Sequence, residues 1–172
     1  MLGLNVGSGQ RPFKSLPDDG VQWVNVDIQP RWNPDVIGDW NDLSFQADNT
    51  VDLAVSHHSL EHAGCGEGSG FIHEAKRVLK PRGSLLIFVP DMRALAQRWI
   101  TKQIDTQIFM TNVYGAYMGD EADRHRWGYD GDSLWRYLKQ FEFRDVHAFN
   151  WRTIPGADIA RSWWILGMEA IK

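Results

Sequence analysis

Short apolar runs alternate along this chain with segments whose apolar positions recur at helical spacing, and turn residues separate the two. Leu2 to Val6 runs straight into Gly7-Ser8-Gly9, which predicts a buried strand ending at a functional loop. Pro12 and Pro17 lie between Gln10 and Gly20, so a shortened helix or a loop is expected there. Val21 to Ile28 alternates and predicts a second strand ending near Asp27. After Pro30 and Pro34, Asp35 to Gly38 predicts a brief third strand, and Val51 to Ser56 a fourth. Phe71, Ile72, Ala75, Val78 and Leu79 mark one face of a helix that Pro81 and Gly83 stop. Ser84 to Val89 is almost continuously apolar, as a central strand covered on both faces would be. Met92 to Lys102 and Ile104 to Met118 predict helices, and Asp120 to Gly131 a polar loop over a site. Asp132 or Ser133 is expected to cap a helix reaching Phe141, after which Phe143 to Phe149 and Ser162 to Ile171 read as closing strands.

Strands alternating with helices imply an α/β fold with a parallel sheet, whose ligands gather beyond the carboxyl ends of the strands. The 172 residues fit one domain over 1–172, with a substrate-side lid expected at about 91–131. The formal charge of -4 and the absence of a basic run argue against general nucleic-acid binding. No apolar run nears the roughly 18 residues that span a bilayer, and no leader pattern is visible, so the expectation is a cytoplasmic protein without a membrane span. Cys65 is the single cysteine, which excludes an internal disulfide. Several tryptophans fall late, at Trp127, Trp135, Trp151, Trp163 and Trp164. Core packing is their expected role, while exposure of Trp151 and Trp163 would suit a homodimer.

Gly7 and Gly9 let the backbone turn sharply beside a ligand, and Asp27 ends the next strand, where a carboxylate can accept both hydroxyls of a ribose. This pair alone fits a dinucleotide fold as readily as other nucleoside-binding folds. The third glycine of G-x-G-x-x-G is replaced by Pro12. A longer pattern is more specific. It runs from Val51-Asp52-Leu53-Ala54-Val55-Ser56-His57-His58-Ser59-Leu60-Glu61-His62, through a helix ending Arg77-Val78-Leu79-Lys80-Pro81-Arg82-Gly83, to the apolar strand Ser84 to Pro90. In type, order and spacing it resembles the class I S-adenosylmethionine (SAM)-dependent methyltransferases, and the resemblance covers Leu2 to about Pro90.

The resemblance implies a Rossmann-like methyltransferase fold with a mostly parallel seven-stranded sheet, order 3-2-1-4-5-7-6, the last strand antiparallel. It implies SAM as cofactor and S-adenosylhomocysteine as product. By position, Gly7, Ser8 and Gly9 would lie along the methionine part of SAM, Asp27 would hold the ribose hydroxyls and Ile28 would pack on the adenine. Asp39 matches the acidic position facing the adenine amino group, with Trp40 as a ring neighbour. Ser56 and His57 would pass the methionine tail. Asn5, also expected among the cofactor-binding residues, stands where many members carry an acid, and Arg82 replaces a glycine. The shortened segment after Gly9 removes much of the helix that faces the cofactor, so a modest affinity is expected.

Methyl transfer from a sulfonium needs alignment first and a base only for a protonated nucleophile. His125, in Asp123-Arg124-His125-Arg126-Trp127-Gly128-Tyr129, and His58 are the catalytic candidates, His62 a structural one, and Tyr114 and Tyr117 are expected in the core. His57, His58, Glu61 and His62 do not form H-E-x-x-H, and adjacent histidines at a strand end point in opposite directions, so no metal site is expected and His57 and His58 should divide. The methyl acceptor is left open among a glycan, a lipid-linked sugar, a peptide or a small molecule. The alternatives are an NAD-dependent oxidoreductase, disfavoured by Leu60-Glu61-His62 and Leu79-Lys80-Pro81, and a non-catalytic SAM-fold binding module, suggested by Asn5 and the missing helix.

Overall fold

The computed structural model describes residues 1–15, 20–117, 119–149, 154–157 and 162–172. Its strands are β1 (Leu2–Val6), β2 (Gln22–Asp27), β3 (Val36–Ile37), β4 (Val51–His57), β5 (Leu79–Pro90), β6 (Asp145–Ala148) and β7 (Ile165–Ile171). They form a seven-stranded sheet in the order β3-β2-β1-β4-β5-β7-β6. β1 to β5 pair in parallel, whereas β7 runs antiparallel to both β5 and β6. The expected topology is therefore the observed one. The strand order reverses between β1 and β4, which opens a crevice beyond their carboxyl ends.

Period-two alternation explains why β5 reads as continuously apolar. Leu85, Ile87 and Val89 enter a core shared with α1 (Ser69–Val78) and α4 (Gly131–Lys139), while Leu86 and Phe88 enter a second core on the opposite face. That second core is completed by Phe13 and Ile154, which come from irregular segments. Between β1 and β2 the described residues hold no helix. Residues 11–15 instead lie along the sheet because Asn25 grips Phe13 twice, accepting its backbone N–H at 2.7 Å and donating to its carbonyl at 3.0 Å.

Several boundaries differ from expectation for local reasons. β5 begins at Leu79, which pairs with Val51; the register then shifts and resumes at Leu53 with Ser84, so Lys80 to Gly83 bulge outward. Arg82, at φ 69°, adopts there the left-handed backbone that a glycine would take without cost. α4 is capped by Asp130, not by Asp132 or Ser133. The Asp130 carboxylate accepts the Ser133 N–H while the Ser133 hydroxyl accepts the Asp130 N–H. Between β5 and α4 stand α2 (Met92–Ile100) and α3 (Thr106–Tyr114). α3 stops at Gly115, φ 79°, where a Cβ would meet the Asp123 carbonyl at 2.5 Å; Met118, its expected end, lies outside the described residues.

The aromatic residues correct two expectations. Trp23 is in the core, but Trp99, Trp127, Trp135 and Trp163 are exposed, and Trp151 lies outside the described residues. Tyr114, at the end of an α3 that buries none of its side chains, and Tyr117, beyond it, are exposed as well. Among the described residues no helix is long and apolar enough to cross a membrane.

Candidate functional site

At the carboxyl end of β1 the chain turns through Gly7 at φ 72°, and the N–H groups of Gly7 and Ser8 both donate to the Val26 carbonyl on β2. A Cβ on Gly7 would lie 2.4 Å from the Cβ of Ser59. Glycine is required there by conformation and by space. Ser59 is held in that position by hydrogen bonds to the Val6 carbonyl and to the Ser56 hydroxyl. At the end of β2, the Asp27 carboxylate accepts the Gly9 N–H at 2.8 Å and the Gln29 N–H at 2.8 Å, locking the glycine turn against the strand end. A carboxylate has about four lone-pair positions, so about two remain for a ligand.

These turns line a cavity of about 620 Å³, within the range that accommodates small molecules and cofactors. Gly7, Ser8, Gly9, Asp27, Ile28, Asp39, Trp40, His57, His58 and His125 all line it. Ile28 is 60% exposed at its wall. Asp39 accepts the Asn41 N–H in a surface turn, and Trp40 packs on Phe71 at 6.0 Å between ring centroids. Asn5 and Ser56 do not reach the cavity lining. Asn5 donates to Asn25 and to the Arg11 carbonyl, so its amide supports the segment that replaces the helix. An acid there would have no proton for either oxygen.

His57 and His58 do not divide. β4 ends at His57, and His58 leaves the pleat at φ 56°, which turns both rings toward the cavity with centroids 4.7 Å apart. Burial pushes the His57 imidazole down to about 3, so its ring is neutral near pH 7. Its Nε2, like that of His58, is buried without a hydrogen-bond partner.

The opposite wall comes from the late loop. Glu61 sits in the short turn Leu60–His62, 1% exposed, and its backbone carbonyl accepts the N–H groups of Arg126 and Trp127. Its carboxylate faces the Nδ1 of His58 at 3.1 Å rather than His62. Burial pushes this carboxyl up, but the surrounding His58, His125 and His62 outweigh it and leave it below the usual glutamate range. His62 turns Nδ1 to the Arg124 carbonyl at 3.1 Å, and His125 turns Nδ1 to the Asn112 carbonyl at 2.9 Å. Burial also lowers the His125 imidazole. Arg31, just after β2, pairs with Asp123 at 2.8 Å and joins the two walls.

Sequence reasoning missed Ser59, Gln29, Trp32, Arg126 and Trp164 in the lining. Ser59 lies inside the motif already quoted. Trp32 and Trp164 come from segments whose local pattern carries no signal of a cavity.

The fold is that of the class I SAM-dependent methyltransferases. A family model described as a methyltransferase domain matches residues 4–87, the stretch that contains the glycine turn, Asp27 and β4. A SAM-dependent methyltransferase from Archaeoglobus fulgidus superimposes with a TM-score of 0.62 at 14% identity, covering 99% of this chain and 86% of that one. The 1,6-didemethyltoxoflavin-N1-methyltransferase of Burkholderia thailandensis, a structure holding 1,6-didemethyltoxoflavin and S-adenosylhomocysteine, gives a TM-score of 0.58 at 17% identity, over 99% and 70%. A SAM-dependent methyltransferase from Aquifex aeolicus gives 0.57 at 15% identity, over 99% and 81%. At such identities the likeness is one of fold. No curated protein matches the sequence.

Proposed function

We propose that this chain binds SAM in the cavity between the glycine turn and the late loop and transfers its methyl group to an acceptor entering beside His58 and His125. The observation that carries this reading is that Gly7 to Gly9, Asp27, Ile28 and Asp39, from the ends of three successive strands, line a single cavity. The residues fit the cofactor. The turn gives close backbone approach, Asp27 keeps acceptor positions for ribose hydroxyls, and Ile28 offers an exposed apolar side chain to an adenine ring. Ser8 Oγ is a buried polar atom without a partner at the methionine end.

Bound SAM would supply a methyl group already activated on a sulfonium. The chain's own residues then hold and align the reactants, which is the larger part of such catalysis. His57, neutral and buried, adds no positive charge of its own to the cofactor wall. His58 has Nδ1 on the Glu61 carboxylate, so its free Nε2 carries the lone pair that can receive a proton from the acceptor. His125 presents its own Nε2 on the same side, because Nδ1 must donate to a carbonyl. The residues between α2 and Tyr129 serve in this reading as the substrate-side lid, joined to the cofactor wall by Arg31 and Asp123.

Calorimetric titration of S-adenosylhomocysteine against the full chain, with NAD in parallel, tests the reading. Binding of the first alone is expected; binding of NAD alone, or of neither, overturns it. Asp27→Ala should weaken S-adenosylhomocysteine by about 1.5–3 kcal/mol, the scale of hydrogen bonds to a charged group. Transfer of label from SAM to fractionated extract would identify the acceptor and separate an enzyme from a binding module.

A further inference from the structure

The late loop brings a third ligand to a pair that the local sequence could not complete. Glu61, His62 and His125 each place one ligand atom within 4.8 Å of the others. Each imidazole has its tautomer fixed from behind. Nδ1 of His62 faces the Arg124 carbonyl and Nδ1 of His125 faces the Asn112 carbonyl, so both must carry hydrogen there and present the lone pair of Nε2. A backbone carbonyl behind the ring is how proteins orient metal-ligating histidines. The third member supplies an independent observation. Glu61 is 1% exposed, and while Oε1 meets His58, Oε2 is buried with no hydrogen-bond partner. Oε1 also lies 3.9 Å from Nε2 of His125, and a cation held by this carboxylate would offset the cost of its bare, buried second oxygen.

We propose that Glu61, His62 and His125 form a binding site for a divalent transition-metal ion on the cavity wall opposite the glycine turn. Two imidazole nitrogens and one carboxylate oxygen suit zinc and its neighbours better than magnesium or calcium, which favour all-oxygen sets. Three protein ligands leave a position open, as in catalytic zinc sites. That position faces the cavity, since His62 and His125 line it. A tetrahedral site with bonds of about 2.0–2.1 Å sets its ligand atoms about 3.3 Å apart, so side-chain rotation must close the spacing by at most about 1.5 Å. On the methyltransferase reading, the ion would hold an acceptor atom or water, making His125 a ligand and leaving His58 as the proton acceptor.

The test is calorimetric titration of Zn²⁺ and Co²⁺ into EDTA-treated, desalted full chain, with visible absorption of the Co²⁺ form. One equivalent with low-symmetry cobalt bands is expected. His125→Ala and His62→Ala should each weaken it at least tenfold, the scale on which losing even a supporting contact reduces affinity. Glu61→Gln tests the third ligand if its thermal unfolding remains cooperative; the two histidine variants decide the matter if it does not. His147, with Asp145 and Glu169 nearby, forms a separate surface cluster, so His147→Ala is the control and should leave binding unchanged. Absence of binding, or binding lost in His147→Ala and retained in His125→Ala, overturns the proposal. Measuring S-adenosylhomocysteine on the same samples separates the two readings: its binding without metal binding refutes the metal site alone, and the converse refutes the cofactor site alone.

Discussion

The two walls of the cavity are built by different means. The wall carrying Gly7 to Gly9 and Asp27 grows from paired strands and is braced by buried hydrogen bonds: Asn5 to Asn25, Ser56 to Ser59, Gly9 to Asp27. The wall from α3 to Trp127 is attached by a few contacts instead. The Arg126 and Trp127 N–H groups on the Glu61 carbonyl, the His62 side chain and the Arg31 ion pair hold it, His125 bonds within it to Tyr114 and Asn112, and Tyr114, Tyr117 and Trp127 face solvent. On the proposed reading, a cofactor common to many enzymes needs a surface that does not vary, and a sheet ladder supplies it. On the same reading, an acceptor particular to one enzyme would be met by side chains that can change without disturbing the sheet.

The comparison breaks most directly at Gly7. Gly7→Ala forces a side chain into a left-handed position and against Ser59, so a loss of about 2–5 kcal/mol in stability is expected, together with loss of S-adenosylhomocysteine binding. Urea unfolding and calorimetry measure the two, and a wild-type-like result for both would show the turn to be far more plastic than its contacts.

Next in size is the acid response of His57, on the same wall. Its folded value lies below its unfolded one, so between about 3 and 6.5 the unfolded chain binds the extra proton. Its contribution is therefore fully present above about pH 6.5 and lost as pH falls toward 3, on the order of a few kcal/mol across the window. Comparing the pH dependence of unfolding in wild type and His57→Gln isolates it. Equal slopes between pH 4.5 and 6.5 would mean that the ring is solvated.

Asn5→Ala sharpens the distinction between supporting and contacting residues. It removes a buried donor from Asn25 and from the Arg11 carbonyl, and about 1–2 kcal/mol of stability is expected to go with it. Since Asn5 does not line the cavity, cofactor affinity of the folded fraction should change less than it does for Asp27→Ala. The smallest effect belongs to the other wall. Tyr117→Ala, at an exposed ring under the Arg124 guanidinium, should alter stability by no more than about 0.5 kcal/mol and leave S-adenosylhomocysteine binding intact. A large loss of stability there would show that the late loop is as firmly built as the sheet.

Most of the fold was legible because its signals are local. The run from Leu85 to Val89 states a doubly covered strand, and glycines at 7 and 9 state a turn that no other residue can make as easily. Boundaries slipped where one side chain decides them, as when Asp130 rather than Asp132 or Ser133 caps α4. Trp135 and Tyr114 were misplaced because hydrophobicity alone does not tell a buried helix position from an exposed one, and Trp127 and Trp163 because they lie in surface loops; Trp164 does pack against the second core.

The sequence by itself determined the strands and the places of Gly7, Gly9 and Asp27 at their ends, since backbone conformation and alternating burial act between near neighbours, whereas the strand order followed from the family resemblance. Tertiary structure alone decided that Asn5 supports a helix-free segment, that His57 and His58 turn to the same side, and that His125 arrives beside Glu61 and His62. Those outcomes depend on groups many residues apart in the chain, and on hydrogen bonds to backbone carbonyls whose positions only the folded sheet and loops fix.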